Sequence, residues 1–407
     1  MLIMPSVDRK IFRQLLIPLA CLFLLTGCAG LDAGRDLISG LSDSIFGDDD
    51  SADPPALLSE YTAEVQIDVL WKASVGDGAD QQYLKLIPAV QGDRVYAADR
   101  KGKLQARSTG QGDLIWETET SYPFSAGPGF SPTSLIMGCT SGDVISFDIG
   151  SGQQKWQTTV PSEVQAVPVV SQGIVIVRTT DGKIIALRES DGSKLWTFEH
   201  NVPALSIRGA GAPMILDSTV YVGQASGKLE ALQLRDGKSL WEATIAIPSG
   251  RSEVERLVDL DVDPIESRGS IFISSFQGGT SAVSGSDGDV VWRNQELSSY
   301  TGLSNDRRYL YVSDTQGEVW QVDQRNGASL WRQKDLRNRK LSAAVVYENY
   351  VVVGDFEGYV HWLSSTDGRQ LGRIQIAKTP IEVKPVIVDG TVYIYAKDGT
   401  LAALKAR

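Results

Sequence analysis

The amino-acid sequence predicts an all-β fold: an eight-bladed β-propeller of four-stranded antiparallel blades. Three observations predict it. A Pro, then a Gly, then a Trp, each fourteen residues after the one before, recur along the chain. Glycine accounts for 40 of the 407 residues, and the apolar runs between turn signals are short and rich in β-branched side chains. The 344 residues from Glu64 to Arg407 make eight units of 43, a typical blade length.

Each repeat supplies four strands. In the cleanest copy, Pro168 leads to the Asp181-Gly182 turn and then to Trp196. Asp-Gly and Ser-Gly signals between apolar runs favour antiparallel hairpins. We interpret the glycines as turn residues with positive φ, and the tryptophans as packing between blades with the indole N–H on a backbone acceptor. The two series are Gly102, Gly142, Gly182, Gly227, Gly278, Gly317, Gly358 and Gly399, and Trp116, Trp156, Trp196, Trp241, Trp292 and Trp331.

The two ends of the repeat region predict how the ring closes. The last unit reaches Gly399 but ends at Arg407, before a Trp-bearing strand. Trp71 lies ahead of the first unit and has no glycine fourteen residues before it. We therefore expect the strand around Trp71 to complete the last blade, so that no open seam remains in the ring.

Residues 1–27 have the order of an export signal. Three basic residues precede the eleven-residue apolar run 15–25, which is too short for a membrane span of about 20 residues. The run leads into Leu-Thr-Gly-Cys28, which resembles the lipobox of bacterial lipoproteins. That resemblance implies cleavage before Cys28 and its lipidation, and the absence of Asp at Ala29 favours the outer membrane. The alternative is an ordinary signal peptide with an incidental cysteine.

The remainder divides into a tether and a folded body. Residues 28–61 include an acidic, proline-bounded stretch at 48–55, so we expect a lipidated, disordered tether. Residues 62–407 form the propeller. With Cys21 removed and Cys28 lipidated, Cys139 is the remaining thiol of the mature chain, and its apolar setting indicates a packed side chain.

The net charge and the kinds of side chain that the sequence contains argue against several functions. The net charge is −11, and residues 28–407 alone carry −13, which argues against a nucleic acid or an acidic membrane surface as partner. The membrane is then reached through the lipid anchor only. The sequence contains two histidines, His200 and His361, which are few for a zinc site or for a base that activates a nucleophile. Asp259, Asp261 and Asp263 suggest a calcium loop, but Pro264 stands where an EF-hand needs Gly. We expect no metal and no catalytic residue.

Two connectors between blades depart from the repeat. From Trp to the next Pro position the distance is 17 residues after Trp196 and 23 after Trp241, against 11 to 13 in five of the other six units. These connectors belong to successive blades and should emerge side by side on one face, where variable loops commonly carry function. Their aliphatic, Arg and carboxylate residues have the composition of an interface, and the candidates are Leu205, Ile207, Arg208, Asp259 and Asp261.

The segment Asp191 to Trp196 resembles the tryptophan-docking repeat of the pyrroloquinoline-quinone (PQQ) propellers. The whole repeat set behind a lipobox resembles the BamB family, lipoproteins of the outer-membrane β-barrel assembly machinery. The resemblance implies a non-enzymatic scaffold on the periplasmic face of the outer membrane that docks on the POTRA domains of BamA and assists insertion of outer-membrane proteins. Direct binding of unfolded outer-membrane proteins stays open.

The resemblance also gives the candidate residues a role. It implies that Leu205, Ile207, Arg208, Asp259 and Asp261 contact the POTRA domains. The alternative is that this loop packs on its own propeller rim, with Arg208 paired to an Asp.

The rival interpretations are a PQQ-type dehydrogenase and another periplasmic propeller adaptor. Dehydrogenases of that group hold their cofactor with a vicinal disulfide and a calcium ion, and are much longer. Cys139 has no cysteine beside it, so we expect neither a cofactor nor enzymatic activity.

Overall fold

The computed structural model describes residues 53–200, 202, 203, 205, 206 and 211–407. These residues form 33 strands in eight sheets, and they contain neither an α-helix nor any helix able to span a membrane. The predicted eight-bladed propeller is confirmed. The strands of the first half are β1 (Ile67–Ser74), β2 (Lys85–Leu86), β3 (Ala89–Gln91), β4 (Arg94–Ala98), β5 (Lys103–Ser108), β6 (Leu114–Glu119), β7 (Phe124–Phe130), β8 (Ser134–Cys139), β9 (Asp143–Asp148), β10 (Gln154–Thr159), β11 (Val169–Ser171), β12 (Ile174–Arg178), β13 (Ile184–Arg188), β14 (Lys194–Phe198), β15 (Met214–Leu216), β16 (Thr219–Gly223), β17 (Lys228–Gln233) and β18 (Ser239–Thr244).

The second half repeats the same pattern of a short inner strand and three longer ones. Its strands are β19 (Ile265–Ser267), β20 (Ser270–Ser275), β21 (Gly279–Ser284), β22 (Val290–Asn294), β23 (Leu303–Asn305), β24 (Tyr309–Ser313), β25 (Val319–Asp323), β26 (Ser329–Gln333), β27 (Val345–Tyr347), β28 (Tyr350–Gly354), β29 (Tyr359–Ser364), β30 (Gln370–Gln375), β31 (Val386–Val388), β32 (Thr391–Tyr395) and β33 (Thr400–Ala406).

A typical blade is one antiparallel sheet whose strands follow one another from the centre of the ring to its rim. Blades 1 to 7 begin at β3, β7, β11, β15, β19, β23 and β27, and blade 8 begins at β31. In blade 3, Ala186 of the third strand pairs with Ile176 of the second and Trp196 of the fourth. The second and third strands are almost fully buried, whereas the outer strand is largely exposed, because only the middle of each blade is covered by both neighbours.

The ring closes as predicted. The last sheet has the order β1-β33-β32-β31, and β1 runs antiparallel to β33 with Trp71 opposite Ala403. The chain's first strand is thus the outer strand of blade 8.

Blade 2 differs from the prediction, because its sheet has five strands. The extra strand β2 pairs in parallel with β7, with Lys85 opposite Ala126. It lies at the end of the 17-residue connector after Trp71, which is long enough to place an additional short strand against the neighbouring blade.

Each repeat tryptophan joins its blade to the next. Its ring packs on the glycine of the next blade's outer turn, where an added Cβ would lie 2.5–2.7 Å from the ring and where φ lies between 71° and 83°. In six cases the indole N–H donates to the carbonyl three residues before that glycine, over 2.7–3.2 Å. The indole N–H of Trp116 has no partner among the described residues. The contacts are Trp71–Gly112, Trp116–Gly152, Trp156–Gly192, Trp196–Gly237, Trp241–Gly288, Trp292–Gly327 and Trp331–Gly368.

The glycines of the repeat itself follow the prediction with one exception. Seven of the eight have positive φ. In blade 5 the left-handed position falls on Gly279, with φ of 82°, instead of Gly278. The turn there is shifted by one residue.

The junction of blades 7 and 8 lacks the tryptophan. Gly372 stands in its place, and the incoming chain fills the space, since a Cβ on Gly372 would lie 3.0 Å from the Val65 carbonyl oxygen and 2.9 Å from Ile67 Cδ1. The backbone N–H groups of Glu64 and Val65 both donate to the Leu371 carbonyl oxygen, over 2.8 and 3.1 Å. At this junction the N-terminal segment therefore fills the space that a tryptophan ring fills between the other blades.

The segment before β1 contacts the propeller over more of its length than the sequence analysis expected. The compact unit starts at Pro54, so residues 54–61, which the sequence analysis assigned to the tether, belong to that unit. Ala56 N–H donates to the Arg337 carbonyl oxygen over 2.9 Å, and the guanidinium of Arg373 lies over the Tyr61 ring at 5.3 Å. Arginine side chains of blade 7 and of the connector before it contact this segment, which composition alone does not predict. We call residues 54–66 the N-terminal strap.

Candidate functional site

The two elongated connectors lie between β14 and β15 and between β18 and β19. Every outer strand runs in the same direction, so all connectors leave the ring on one face. The described ends of these two are in contact: Ala212 N–H donates to Asp263 Oδ1 over 2.6 Å. A Cβ on Gly211 would lie 2.5 Å from the Val262 carbonyl oxygen. The prediction that these connectors are neighbours in space is confirmed. We call the surface that they form the connector face.

The predicted site residues fall into three groups. Cys28, Ile207 and Arg208 lie outside the described residues. Leu205 is half-buried on the first connector. Asp259 and Asp261 are 1% and 4% exposed.

The burial of the two aspartates corrects the expectation that their side chains contact a partner. Residues 257–262 lead directly into Pro264 and the inner strand β19, so they enter the centre of the ring instead of standing on its rim. Leu260 and Val262 alternate with the aspartates. Leu260 packs into the hydrophobic cluster between blades 4 and 5, and Val262 into the cluster between blades 5 and 6. Neither Asp259 nor Asp261 is placed to touch a partner from the surface.

The exposed part of the second connector lies earlier in the chain. Ile247 and Val254 are 74% and 40% exposed, so the tip presents two aliphatic side chains. The Glu255 carboxylate accepts the backbone N–H groups of Arg251 and Ser252 over 2.6 and 3.1 Å, and these bonds lower its pKa. The sequence analysis missed these residues. The sequence did contain a sign of them, because aliphatic residues in the longest connector are candidates for an exposed contact surface.

A buried cation lies beneath the connector face. Arg178, at the end of β12, is 5% exposed, and its Nη1 donates to the Gly211 carbonyl oxygen over 3.1 Å. Burial lowers its pKa, opposed by the charges of Asp261, Asp259 and Asp263. The sequence analysis did not single out Arg178.

Asp261 is the carboxyl most affected by this environment. Burial, with the neighbouring charge of Asp259, raises its pKa to about 8, and Arg178 and Lys85 act in the opposite direction. Neither of its oxygens accepts a hydrogen bond from the described residues. Two carboxylates so close in a low-dielectric interior resist simultaneous ionisation.

His200 is half-buried, and His361 lies in the interior. Burial, with the nearby Arg178, lowers the pKa of His200 to about 4, so this imidazole is neutral at pH 7. His361 is fully buried, and its Nε2 lies 3.0 Å from Asp355 Oδ2, which also accepts from Arg339. The arrangement is a buried polar network inside blade 7, away from the connector face.

The centre of the ring contains a small cavity. It has a volume of about 20 Å³, and its lining includes Tyr83, Lys85, Asp263 and Glu382. Small-molecule and cofactor pockets commonly measure about 300–1,000 Å³. Among the described residues, no group of three or more His, Cys, Asp or Glu side chains is arranged to hold a metal ion. Cys139 is a buried free thiol whose pKa is raised by burial.

Comparisons with known proteins point to one family. A family model, PQQ_2, described as outer membrane protein assembly factor BamB, matches residues 111–333. An outer membrane protein assembly factor BamB of Pseudomonas aeruginosa is 42% identical over 354 residues, which cover 87% of this chain and 93% of that protein. The protein of the same name from Escherichia coli K12 is 31% identical over 403 residues, which cover 96% of this chain and 99% of that protein.

Solved structures agree on the architecture. The crystal structure of BamB from Moraxella catarrhalis has a TM-score of 0.77 and 25% identity, covering 84% of this chain and 100% of that one. A quinohemoprotein alcohol dehydrogenase from Comamonas testosteroni has a TM-score of 0.66 at 12% identity, covering 83% of this chain and 76% of that one. The second likeness shows the fold alone.

Proposed function

The chain belongs to the BamB family of outer-membrane protein assembly factors, and on that basis we propose that it is a non-enzymatic scaffold of the outer-membrane β-barrel assembly machinery. It docks on the periplasmic POTRA domains of BamA and so assists the insertion of outer-membrane proteins. Its place is the periplasmic face of the outer membrane, where lipidated Cys28 anchors it.

One observation carries the docking proposal: two elongated connectors of successive blades meet on one face of the ring. The connector after Trp71 is as long as the first of them, but it supplies the additional strand β2; the two adjacent elongated connectors contain no such strand among their described residues, and variable loops of this kind commonly carry function. We assign direct contact with the POTRA domains to Leu205, Ile207 and Arg208, joined by Ile247 and Val254 at the exposed tip. Asp259 and Asp261 support the face from below.

Anchoring follows from the N-terminal motif. Acyl chains attached at Cys28 would bind the membrane with about 0.8 kcal/mol for each buried methylene group. The compact unit begins at Pro54, which leaves residues 28–53 as the proposed tether between lipid and propeller.

The non-enzymatic assignment has support from the centre of the ring. The described cavity there, about 20 Å³, is far too small for a quinone cofactor. Cys139 is buried, and it is the only cysteine among the described residues, which rules out a vicinal disulfide in this part of the chain.

A binding measurement with the periplasmic region of BamA tests the proposal. Truncation of an interface arginine typically weakens binding by about 2 kcal/mol, or about thirtyfold. Arg208→Glu is expected to weaken binding by more than that, because a negative charge would oppose the partner's acidic group. Arg188→Glu is the matched control, since this half-exposed arginine pairs with Asp191 at the other end of the blade. It should bind as wild type does.

Two results would overturn the docking assignment. Retained binding by Arg208→Glu would remove the first connector from the interface. Lost binding accompanied by a collapsed thermal melt would show instead that Arg208 is a structural ion-pair partner on the propeller's own rim. Wild-type protein that fails to bind the BamA region at all would contradict the scaffold assignment.

A further inference from the structure

Arg178 breaks the internal repeat at an inner position. It lies ten residues after the proline position of its unit. In six of the other seven units this position holds a small residue, and in the seventh it holds Tyr395. The small residues are Ala98, Gly138, Gly223, Ser274, Ser313 and Gly354. A charged side chain where the repeat requires a small one needs a reason beyond packing, because burying a guanidinium is costly unless it is paired.

The guanidinium of Arg178 holds the end of the first connector. Its Nη1 donates to the Gly211 carbonyl oxygen over 3.1 Å. The next residue, Ala212, donates its N–H to Asp263 Oδ1 over 2.6 Å. Gly211 and Ala212, near the end of the first connector, are thus held between blade 3 and the second connector.

The second connector supplies the opposite charge. Asp261 is the first of the negative charges that act on Arg178, followed by Asp259 and Asp263. Asp261 is 4% exposed, and neither of its oxygens accepts a hydrogen bond from the described residues. Because Asp259 and Asp261 resist simultaneous ionisation, the two carboxyls together present about one negative charge to Arg178. Lys85 adds a second positive charge from β2.

We propose that Arg178 is a positioning residue of the connector face: through the Gly211 carbonyl oxygen, and facing the acidic end of the second connector, it holds the two elongated connectors in one arrangement beneath the partner-binding surface. The carboxyls of that acidic end then influence partner binding from inside the ring, through the connectors, and not by touching the partner. The expected effect on partner binding rests on the proposed docking function, whereas the contacts at Gly211 and Ala212 do not depend on that function.

Substitutions at Arg178 and Asp261 test this in the full chain. Arg178→Met keeps the volume but removes the charge, and should weaken binding to the BamA periplasmic region about tenfold while the Ala212 amide exchanges hydrogen faster. Arg178→Lys keeps the charge and should recover part of the affinity. Asp261→Asn replaces a carboxyl that burial already keeps largely protonated, and should weaken binding less than Arg178→Met does. Arg188→Met, in the same blade, is the matched control.

The outcomes separate this proposal from the docking function. Folded Arg178→Met with wild-type affinity and unchanged exchange at Ala212 would overturn the proposal. If Arg178→Met fails to fold, Arg178→Lys decides by the same two measurements. Equal loss of binding in the Met and Lys variants would contradict a role that depends on the positive charge of Arg178. If wild type does not bind the BamA region, the docking function fails, and exchange at Ala212 still decides whether Arg178 positions the connectors.

Discussion

The indole nitrogen of Trp71 donates a hydrogen bond of 2.8 Å to the carbonyl oxygen of Thr109, and this bond ties the first strand of the chain to the first blade. Trp71 belongs to β1, which completes blade 8. Its ring packs on Gly112 in the way that other repeat tryptophans pack on the following blade. The contact that joins neighbouring blades therefore also closes the ring.

Removal of the Trp71 ring should open this closure. Trp71 is 7% exposed and packs against Tyr393, so Trp71→Ala should lower the free energy of unfolding by about 3–5 kcal/mol. Denaturant unfolding measures the change. Leu70→Ala, at a neighbouring position that is 41% exposed, should cost within about 0.5 kcal/mol. Equal costs for both variants would show that β1 does not close the ring.

A tryptophan placed at Gly372, as in the other repeats, should destabilise the packing of the N-terminal strap. Gly372→Trp would drive a ring into the space occupied by Val65 and Ile67, where even a Cβ is at 2.9–3.0 Å. Overpacking of this kind costs about 1–3 kcal/mol and should expose the N-terminal strap to limited proteolysis. Gly110→Ala is the control, because a Cβ there meets nothing within 4 Å. An unaltered, protease-resistant strap would contradict the assigned role of residues 54–66.

The buried carboxyl of Asp261 should make stability depend on pH. Its pKa is raised by burial to about 8, against about 3.9 in an unfolded chain, so the folded state holds the proton more tightly. The unfolded state releases its proton first as pH rises, and the contribution of Asp261 to stability falls between about pH 4 and pH 8, then levels off.

Asp261→Asn should flatten this part of the profile. Urea midpoints measured from pH 5 to pH 9 give the test, with Asp191→Asn as control, since its exposed carboxyl has a lowered pKa and stays ionised over that range. Identical slopes for wild type and Asp261→Asn would assign the pH dependence to other groups.

Loss of the lipidation site should release the protein from the membrane. Cys28→Ala lacks the sulfur that would carry the acyl chains, so fractionation of cells should move the protein from the membrane pellet to the soluble fraction. Ala29→Asp is the companion variant: it should stay membrane-bound but shift toward the inner membrane. Wild-type recovery of Cys28→Ala in the pellet would remove the lipoprotein assignment.

The repeat made most of the architecture predictable. A period of about 43 residues with a Trp and two glycines in fixed register determines blade number, strand order and inter-blade packing, because these features depend on spacing along the chain. The unpaired Trp71 likewise determined the closing strand. Both elongated connectors were visible as departures from the same spacing.

What lies under the connector face was decided by tertiary structure alone. Asp259 and Asp261 have the composition of a solvated loop, yet other blades cover them, and whether a segment faces solvent or the ring's centre depends on chain that is distant in sequence. The N-terminal strap is bound by arginines that lie about 280 to 310 residues later in the sequence, and no local sequence pattern predicts such contacts. The sequence by itself determined the ring and its closure, because those follow from local periodicity. Only the tertiary structure decided which charges are buried together, because burial is a property of what the folded chain packs around a residue.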